Sequence, residues 1–244
     1  MITIHEDVLQ GSDEWLQLRC GLLTASEMHL VVTAKKLMLA DNDKSRGHLY
    51  EMLSQRITQH VEPSYVSDAM LQGNHDETLA RDLYSRECAE VAQVGFITRS
   101  FPLVADDVFG PDFSIGYSPD GLVGAKGGIE VKSRKGKFQV QTILDDVMPD
   151  DFLLQVQTGM LVADLDWIDF VSYCGGLPMF VKRIPRDLEA SAKIEQIARS
   201  FYTRMAELEG AYHRAVSDNP LRMFPTERAR HDDEAQITGA DTED

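Results

Sequence analysis

An α/β or α+β chain is predicted, with a central mixed β-sheet flanked by helices before and after it. Three observations predict it. Helix-start signals and helical periodicity dominate the first ninety residues and recur from Leu188 onward. Between them lies a series of short apolar and β-branched runs punctuated by Gly and Pro. The stretch SPDGLVGAKGGIEVKSR (Ser118–Arg134) reads as a hairpin, with the turn at Gly124–Gly128 and strands on either side.

The elements follow in order. Ser12 caps a helix to Arg19, with Trp15 and Leu18 on one face and Gly21 ending it. Thr24-Ala25-Ser26-Glu27 has the spacing of a capping box, which starts a second helix near Ala25. Residues 45–60 form a third helix. Ser67–Ala92 forms a longer one, on which Gly73, Glu77, Ala80 and Tyr84 share a stripe. Strands are expected at Ala92–Thr98, Pro102–Asp106, Phe113–Tyr117, Asp120–Val123 and Gly128–Ser133. A helix at Asp151–Ala163 precedes strands at Ile168–Tyr173 and Met179–Ile184. A last helix runs from Leu188 to about Val216. The division expected is a single domain over residues 1–225 and an acidic tail over 226–244.

Composition narrows the functional classes. The chain has 244 residues, 43% hydrophobic and 26% charged, ordinary for a soluble globular protein. It contains no apolar run of membrane-spanning length, and Cys20, Cys88 and Cys174 form no CxxC pair; its first residues, MITIHEDVLQGSDEW, are not expected to act as a secretory signal. A reduced, cytoplasmic location is the expectation. The net charge of −16 argues against a protein that coats DNA with a basic surface. The tail contributes seven acids against Arg228 and Arg230 and is expected to be disordered. Any nucleic-acid contact must then be focused, and the local run Lys132, Arg134, Lys135, Lys137 is the candidate patch.

That patch adjoins the most chemical part of the chain. Residues two apart on a strand share a face, so Glu130 and Lys132 point one way while Ile129, Val131 and Ser133 point the other. With Asp120 on the preceding strand, two carboxylates and a lysine could hold a divalent cation and position a water, which suits phosphodiester hydrolysis. A solvated strand face is the competing reading of the same residues. Glu77 on its small-residue stripe would be partly buried and would need a partner or a metal. Arg19, Thr24 and Ser26 converge at a helix start where a phosphate could bind, or where a simple cap could stand. Gln155 and Gln157 project from the Asp151–Ala163 helix.

Four blocks, GSDEWLQLRCGLLTASE, GNHDETLARDLY, SPDGLVGAKGGIEVKS and FLLQVQTGM, stand in this order. In order and spacing they resemble the phage lambda exonuclease family, the YqaJ-type viral recombinases, over about Gly11–Tyr173. The resemblance implies a PD-(D/E)xK restriction-endonuclease-like core. It implies Mg2+, with Mn2+ as substitute, held by Asp120, Glu130 and the Val131 backbone carbonyl, and by Glu77 directly or through water. It implies Lys132 and Gln157 at the attacking water, Arg19, Thr24 and Ser26 at a 5′-phosphate, and Ser118 against DNA or supporting the site. Ser133 fits the small residue favoured after the lysine. A cation beside Lys132 would lower its pKa.

The implied activity is 5′-to-3′ digestion of one strand of linear double-stranded DNA from a 5′-phosphorylated end, releasing mononucleotides and leaving a 3′ single strand. The implied assembly is a homotrimeric ring that passes this strand to a phage single-strand annealing protein in the bacterial cytoplasm. A structure-specific endonuclease of the same fold and a non-catalytic DNA-end-binding scaffold are the alternatives.

Overall fold

A computed structural model describes residues 1–33, 36–62, 67–102 and 112–228. In chain order the elements are β1 (Ile2–His5), α1 (Asp13–Arg19), β2 (Leu23–Thr24), a 3-10 turn (Ala25–Glu27), α2 (Met28–Val31), β3 (Val32–Thr33), β4 (Met38–Leu39), α3 (Asp43–Thr58) and α4 (Asp68–Glu87). There follow β5 (Phe96–Phe101), β6 (Phe113–Tyr117), β7 (Gly121–Val123), β8 (Gly127–Ser133), α5 (Gly136–Asp145), a 3-10 turn (Asp150–Phe152), α6 (Leu153–Ala163), β9 (Trp167–Tyr173), β10 (Phe180–Pro185) and α7 (Leu188–Ser217).

Local chemistry sets the helix starts. The side chains of Ser12, Asn42 and Ser67 each accept a hydrogen bond from a backbone N–H three residues on, supplying one of the orphan donors of the first turn. Gly21 adopts φ 63°, the left-handed turn that sends the chain from α1 into β2. The Thr24–Glu27 box forms, but it opens one 3-10 turn and the four-residue α2 rather than a long helix.

The expected mixed sheet is present as two four-stranded sheets, ordered β1-β5-β6-β2 and β10-β9-β8-β7. Each combines parallel and antiparallel pairs: β2 runs parallel to β6, and β8 parallel to β9. The chain passes from one sheet to the other through Ser118-Pro119-Asp120, between β6 and β7. β7 pairs β8 only over Gly127–Ile129, so β8 runs on beyond its partner. Ala80 and Tyr84 of α4 pack on Ile129, Val131 and Val171. This buries one face of β8 and leaves Glu130 and Lys132 for the other.

The expected strand at Pro102–Asp106 falls largely on residues 103–111, outside the described residues, as does the tail beyond Arg228. Met1–Ala206 forms one compact unit and Glu207–Asp244 a second. In the second unit the described chain leaves α7 through a turn in which the Asn219 amide donates to the Ala215 carbonyl at 2.8 Å. Among the described residues no helix is long and apolar enough to cross a membrane.

Candidate active site

Register brings the acids together. Glu130 lies in the middle of β8, paired across from Phe170, and is 1% exposed. Asp120 sits just before β7, where Val131 has no strand neighbour on that side. The Val131 N–H donates to Asp120 Oδ2 at 2.6 Å, so the main-chain edge of Val131 faces the Asp120 carboxylate. Burial, then the charges of Glu130 and Glu77, hold the Asp120 carboxyl well above the usual carboxylate range, opposed by Lys132 and by the Val131 N–H.

Lys132 shares the Glu130 face, as the strand period requires. Its ammonium donates to Glu130 Oε1 at 2.6 Å and to Gln155 Oε1 at 3.1 Å. Burial pulls its pKa down, but the charges of Glu130 and Asp120 and the bond to Glu130 outweigh this, and the net shift is upward. The carboxylates set the field at Lys132. The Gln155 amide donates to Glu130 Oε1 at 2.5 Å. One oxygen of Glu130 therefore carries two donors, while the buried Oε2 accepts no hydrogen bond of good geometry. The buried Tyr117 hydroxyl lies beside Glu130: burial raises its pKa first, then the charges of Glu130 and Asp120 and a hydrogen-bond interaction with Glu130.

Glu77 faces this centre from α4. Arg81, one turn on, donates through Nη1 to Glu77 Oε1 at 2.8 Å and to the Asp120 carbonyl at 3.1 Å. Asp76, its neighbour, accepts from the Ser133 hydroxyl at 2.5 Å and from the Gln72 amide at 2.7 Å. Ser133 thus turns toward α4, on the side opposite Lys132.

A second cluster gathers the residues expected to contact phosphate. The Arg19 guanidinium lies 4.3 Å from the centre of the Trp15 ring and donates to Thr24 Oγ1 at 3.3 Å. Thr24 Oγ1 in turn lies 3.2 Å from Ser26 Oγ. Burial lowers the Arg19 pKa, partly offset by Glu27 at 3.8 Å. Trp15 Nε1 donates to Ser118 Oγ at 3.0 Å, which ties this cluster to the segment that ends in Asp120. The 3-10 turn bearing Ser26 packs on α6. A cavity of about 470 Å³ has Ser26, His29, Thr33, Asn42, Phe152 and Gln155 in its lining. Ser26 and Gln155 thus open onto one space.

Gln157 is not part of this centre. It is 3% exposed, donates to the Pro185 carbonyl at 3.0 Å and accepts from the Asp187 N–H at 2.9 Å, bracing the link from β10 to α7. The amide that reaches the carboxylates is that of Gln155. Sequence reasoning also missed Arg81 and the use of Trp15 as a platform. The signals available were the i,i+4 spacing of Glu77 and Arg81 and of Trp15 and Arg19.

The donor set suits a hard divalent cation. Mg2+ takes one or two carboxylates and keeps several waters, so no closed cage is required. Among the described residues no three His, Cys, Asp or Glu side chains converge as such a cage. The fit is two acids held close, Asp120 beside Glu130, whose buried Oε2 accepts no hydrogen bond of good geometry.

The fold is shared with known proteins. The alkaline exonuclease LHK-Exo from Laribacter hongkongensis superposes with a TM-score of 0.71 at 29% identity, covering 85% of this chain and 99% of that one. Its complex with dAMP matches with a TM-score of 0.71 at 30% identity over the same shares. No curated protein sequence matches the chain. The YqaJ-like viral recombinase domain matches residues 14–166. The protein belongs to the YqaJ-like viral recombinase domain family.

Proposed function

We infer that this protein is a Mg2+-dependent exonuclease that acts in recombination. It digests one strand of linear double-stranded DNA from a 5′-phosphorylated end, 5′ to 3′, to mononucleotides. The observation that carries the reading is the pairing of two clusters, Asp120, Glu130, Lys132 and Gln155 in one and Arg19, Thr24 and Ser26 in the other, linked by the Trp15–Ser118 hydrogen bond. The likeness to an exonuclease, and to its complex with a mononucleotide, supports both the reaction and the size of the product.

Each residue has a task in this reading. Asp120, Glu130 and the Val131 carbonyl would hold the cation, with Glu77 contributing directly or through water. The cation would lower the pKa of a bound water and neutralise charge developing on the scissile phosphate. Lys132 and Gln155 orient the attacking water from the Glu130 side. Arg19, Thr24 and Ser26 grip the terminal 5′-phosphate, and Ser118 with Trp15 fixes the distance from that anchor to Asp120. Gripping the phosphate while cutting one nucleotide inward sets the product as a mononucleotide.

A homotrimeric ring would reconcile the net charge of −16 with DNA binding, because the lumen can be basic while the exterior is acidic. The 3′ strand would pass to a single-strand annealing protein in the bacterial cytoplasm.

The test is digestion with Mg2+ of linear duplexes bearing a 5′-phosphate or a 5′-hydroxyl, beside a closed circle. Mononucleotides released preferentially from the phosphorylated duplex, with the circle intact, are expected. Cutting of the circle would establish an endonuclease instead, and end binding without cutting a scaffold.

A further inference from the structure

Past the acid centre, β8 runs into cations that the reading above leaves without a task. The Arg134 N–H donates to the Tyr173 carbonyl at 2.7 Å, so strand geometry continues beyond Ser133. Glu130, Lys132 and Arg134 therefore follow one another on one face, and two strand residues advance about 6.6 Å. The Arg134 guanidinium lies between two rings, 5.2 Å from the centre of Phe138 and 5.3 Å from that of Phe152. Phe152 is the same ring that the Lys132 ammonium faces at 5.4 Å, and it lines the cavity shared with Ser26. Lys137 lies 4.7 Å from the Phe138 ring.

What Arg134 lacks is an acceptor. Its Nε is buried with no hydrogen-bond partner, and among the described residues no carboxylate pairs with it within 4.0 Å. A half-buried guanidinium kept flat by aromatic faces, with a donor unused, is arranged for an anion with several oxygens. α5 begins two residues later with Lys135 as its N-cap in extended backbone and no side-chain cap, so its first N–H groups add to the same field. Asp151 is the nearby opposing charge and partly offsets the lowering of the Arg134 pKa by burial.

We propose that Arg134, held between Phe138 and Phe152 beside the start of α5, binds the phosphate of the DNA strand next to the scissile one. The proposal rests on the exonuclease reading and names a residue that holds the strand beside the Glu130–Lys132 face of β8. The recognised group is a phosphate diester, and a free mononucleotide or inorganic phosphate is the other source of the same chemistry.

The test uses the full chain in an Asp120→Asn background, so that substrate stays uncut, and measures binding of a 5′-phosphorylated linear duplex across a salt series. Arg134→Gln is expected to weaken binding about tenfold and to flatten the salt slope by about 0.9, the value of one lost phosphate contact. Arg134→Lys, which keeps charge and ring contact, is expected to keep the slope and recover part of the affinity. Unchanged affinity and slope in Arg134→Gln would overturn the proposal, as would a slope lost equally in Arg134→Lys. An altered competition by dAMP or inorganic phosphate with an unaltered duplex slope would overturn it in favour of a product site. Should Arg134→Gln fail to fold, Phe138→Leu in the active protein carries the test: a raised KM with kcat unchanged supports the proposal, and unchanged KM overturns it. A wild type that neither binds nor cuts linear duplex would sink the exonuclease reading itself. A cutting wild type with an indifferent Arg134 sinks only this inference.

Discussion

Arg81 donates to Glu77 at 2.8 Å, and the same nitrogen reaches the Asp120 carbonyl at 3.1 Å. One side chain on α4 thus fixes the separation between a carboxylate of the helix and the turn carrying a carboxylate of the sheet. The Asp76–Ser133 bond clamps the same helix to β8 on the other side of Glu77. Two like charges are brought near a cation site only if something rigid holds them there. Arg81→Met is therefore expected to lower Mn2+ affinity, read by titration calorimetry, and the cleavage rate with it, each by about 10–100-fold. Arg81→Lys keeps the charge on a shorter side chain without the planar guanidinium, so it should lie between. A methionine variant with wild-type Mn2+ affinity would remove Arg81 from the metal centre.

The two glutamines of α6 separate chemistry from stability. Gln155→Ala removes the donor to Glu130 and the acceptor of Lys132 at a partly exposed site, so its cleavage rate should fall about 10–100-fold with little change in Tm. Gln157→Ala leaves the Pro185 carbonyl and Asp187 N–H without their buried partner and should cost about 1–3 kcal/mol of stability, with kcat retained below the melting range. Chemical denaturation and single-turnover cleavage on both variants would check this. The reverse pattern would return the water-positioning task to Gln157.

The QVQ block shows where sequence stops. Both amides project from one helix, and only the packing of α6 decides which meets Glu130. The strand carrying Glu130 and Lys132 was legible because its alternation matches a face buried by Ile129 and Val131. α5 was not legible, because its burial runs against hydrophobicity. It buries Gln139 and Thr142 and leaves Val140 and Leu144 44% and 78% exposed. Gln139 earns its place by bonding the Ser172 hydroxyl and the carbonyls of Ser172 and Pro178. β1 is an edge strand with Ile2 and Ile4 exposed, so it offers no buried face to detect. The split into two sheets is invisible for a related reason: the strand runs on either side of Ser118-Pro119-Asp120 look alike, and only pairing distinguishes their sheets.

Gly159 gives a way to move the site without touching an acid. A Cβ there would lie 2.8 Å from the Tyr117 ring, closer than carbon atoms pack, and that ring is fully enclosed. Tyr117 borders Glu130, and Gly159 lies one turn beyond Gln155 on α6. Gly159→Ala is expected to destabilise the fold by about 1–3 kcal/mol through overpacking and to lower kcat more than it raises KM. Adding Tyr117→Leu should relieve the clash and recover stability. Failure of that second change to recover any stability would place the clash elsewhere.

Tyr202 makes the fold sensitive to alkali. It is 1% exposed, accepts from the Leu23 N–H at 2.8 Å and donates to the Ser114 carbonyl at 2.8 Å, so it joins α7 to the strands beside the phosphate cluster. Burial pushes its pKa from 10.0 up to about 12, against the opposing effects of the Leu23 N–H and Arg56. The sign follows from proton uptake. Above pH 10 the unfolded chain loses this proton while the folded chain keeps it, so stability falls with rising pH until the folded group ionises near pH 12. Two pKa units correspond to about 2–3 kcal/mol lost across that window. Tyr202→Phe should be less stable at neutral pH, by about 1–2 kcal/mol for the hydrogen bonds removed, yet show a shallower decline between pH 10 and 12. Denaturant midpoints at pH 8 and pH 11 for both proteins test this. An equal alkaline decline in the phenylalanine variant would assign the sensitivity to other groups.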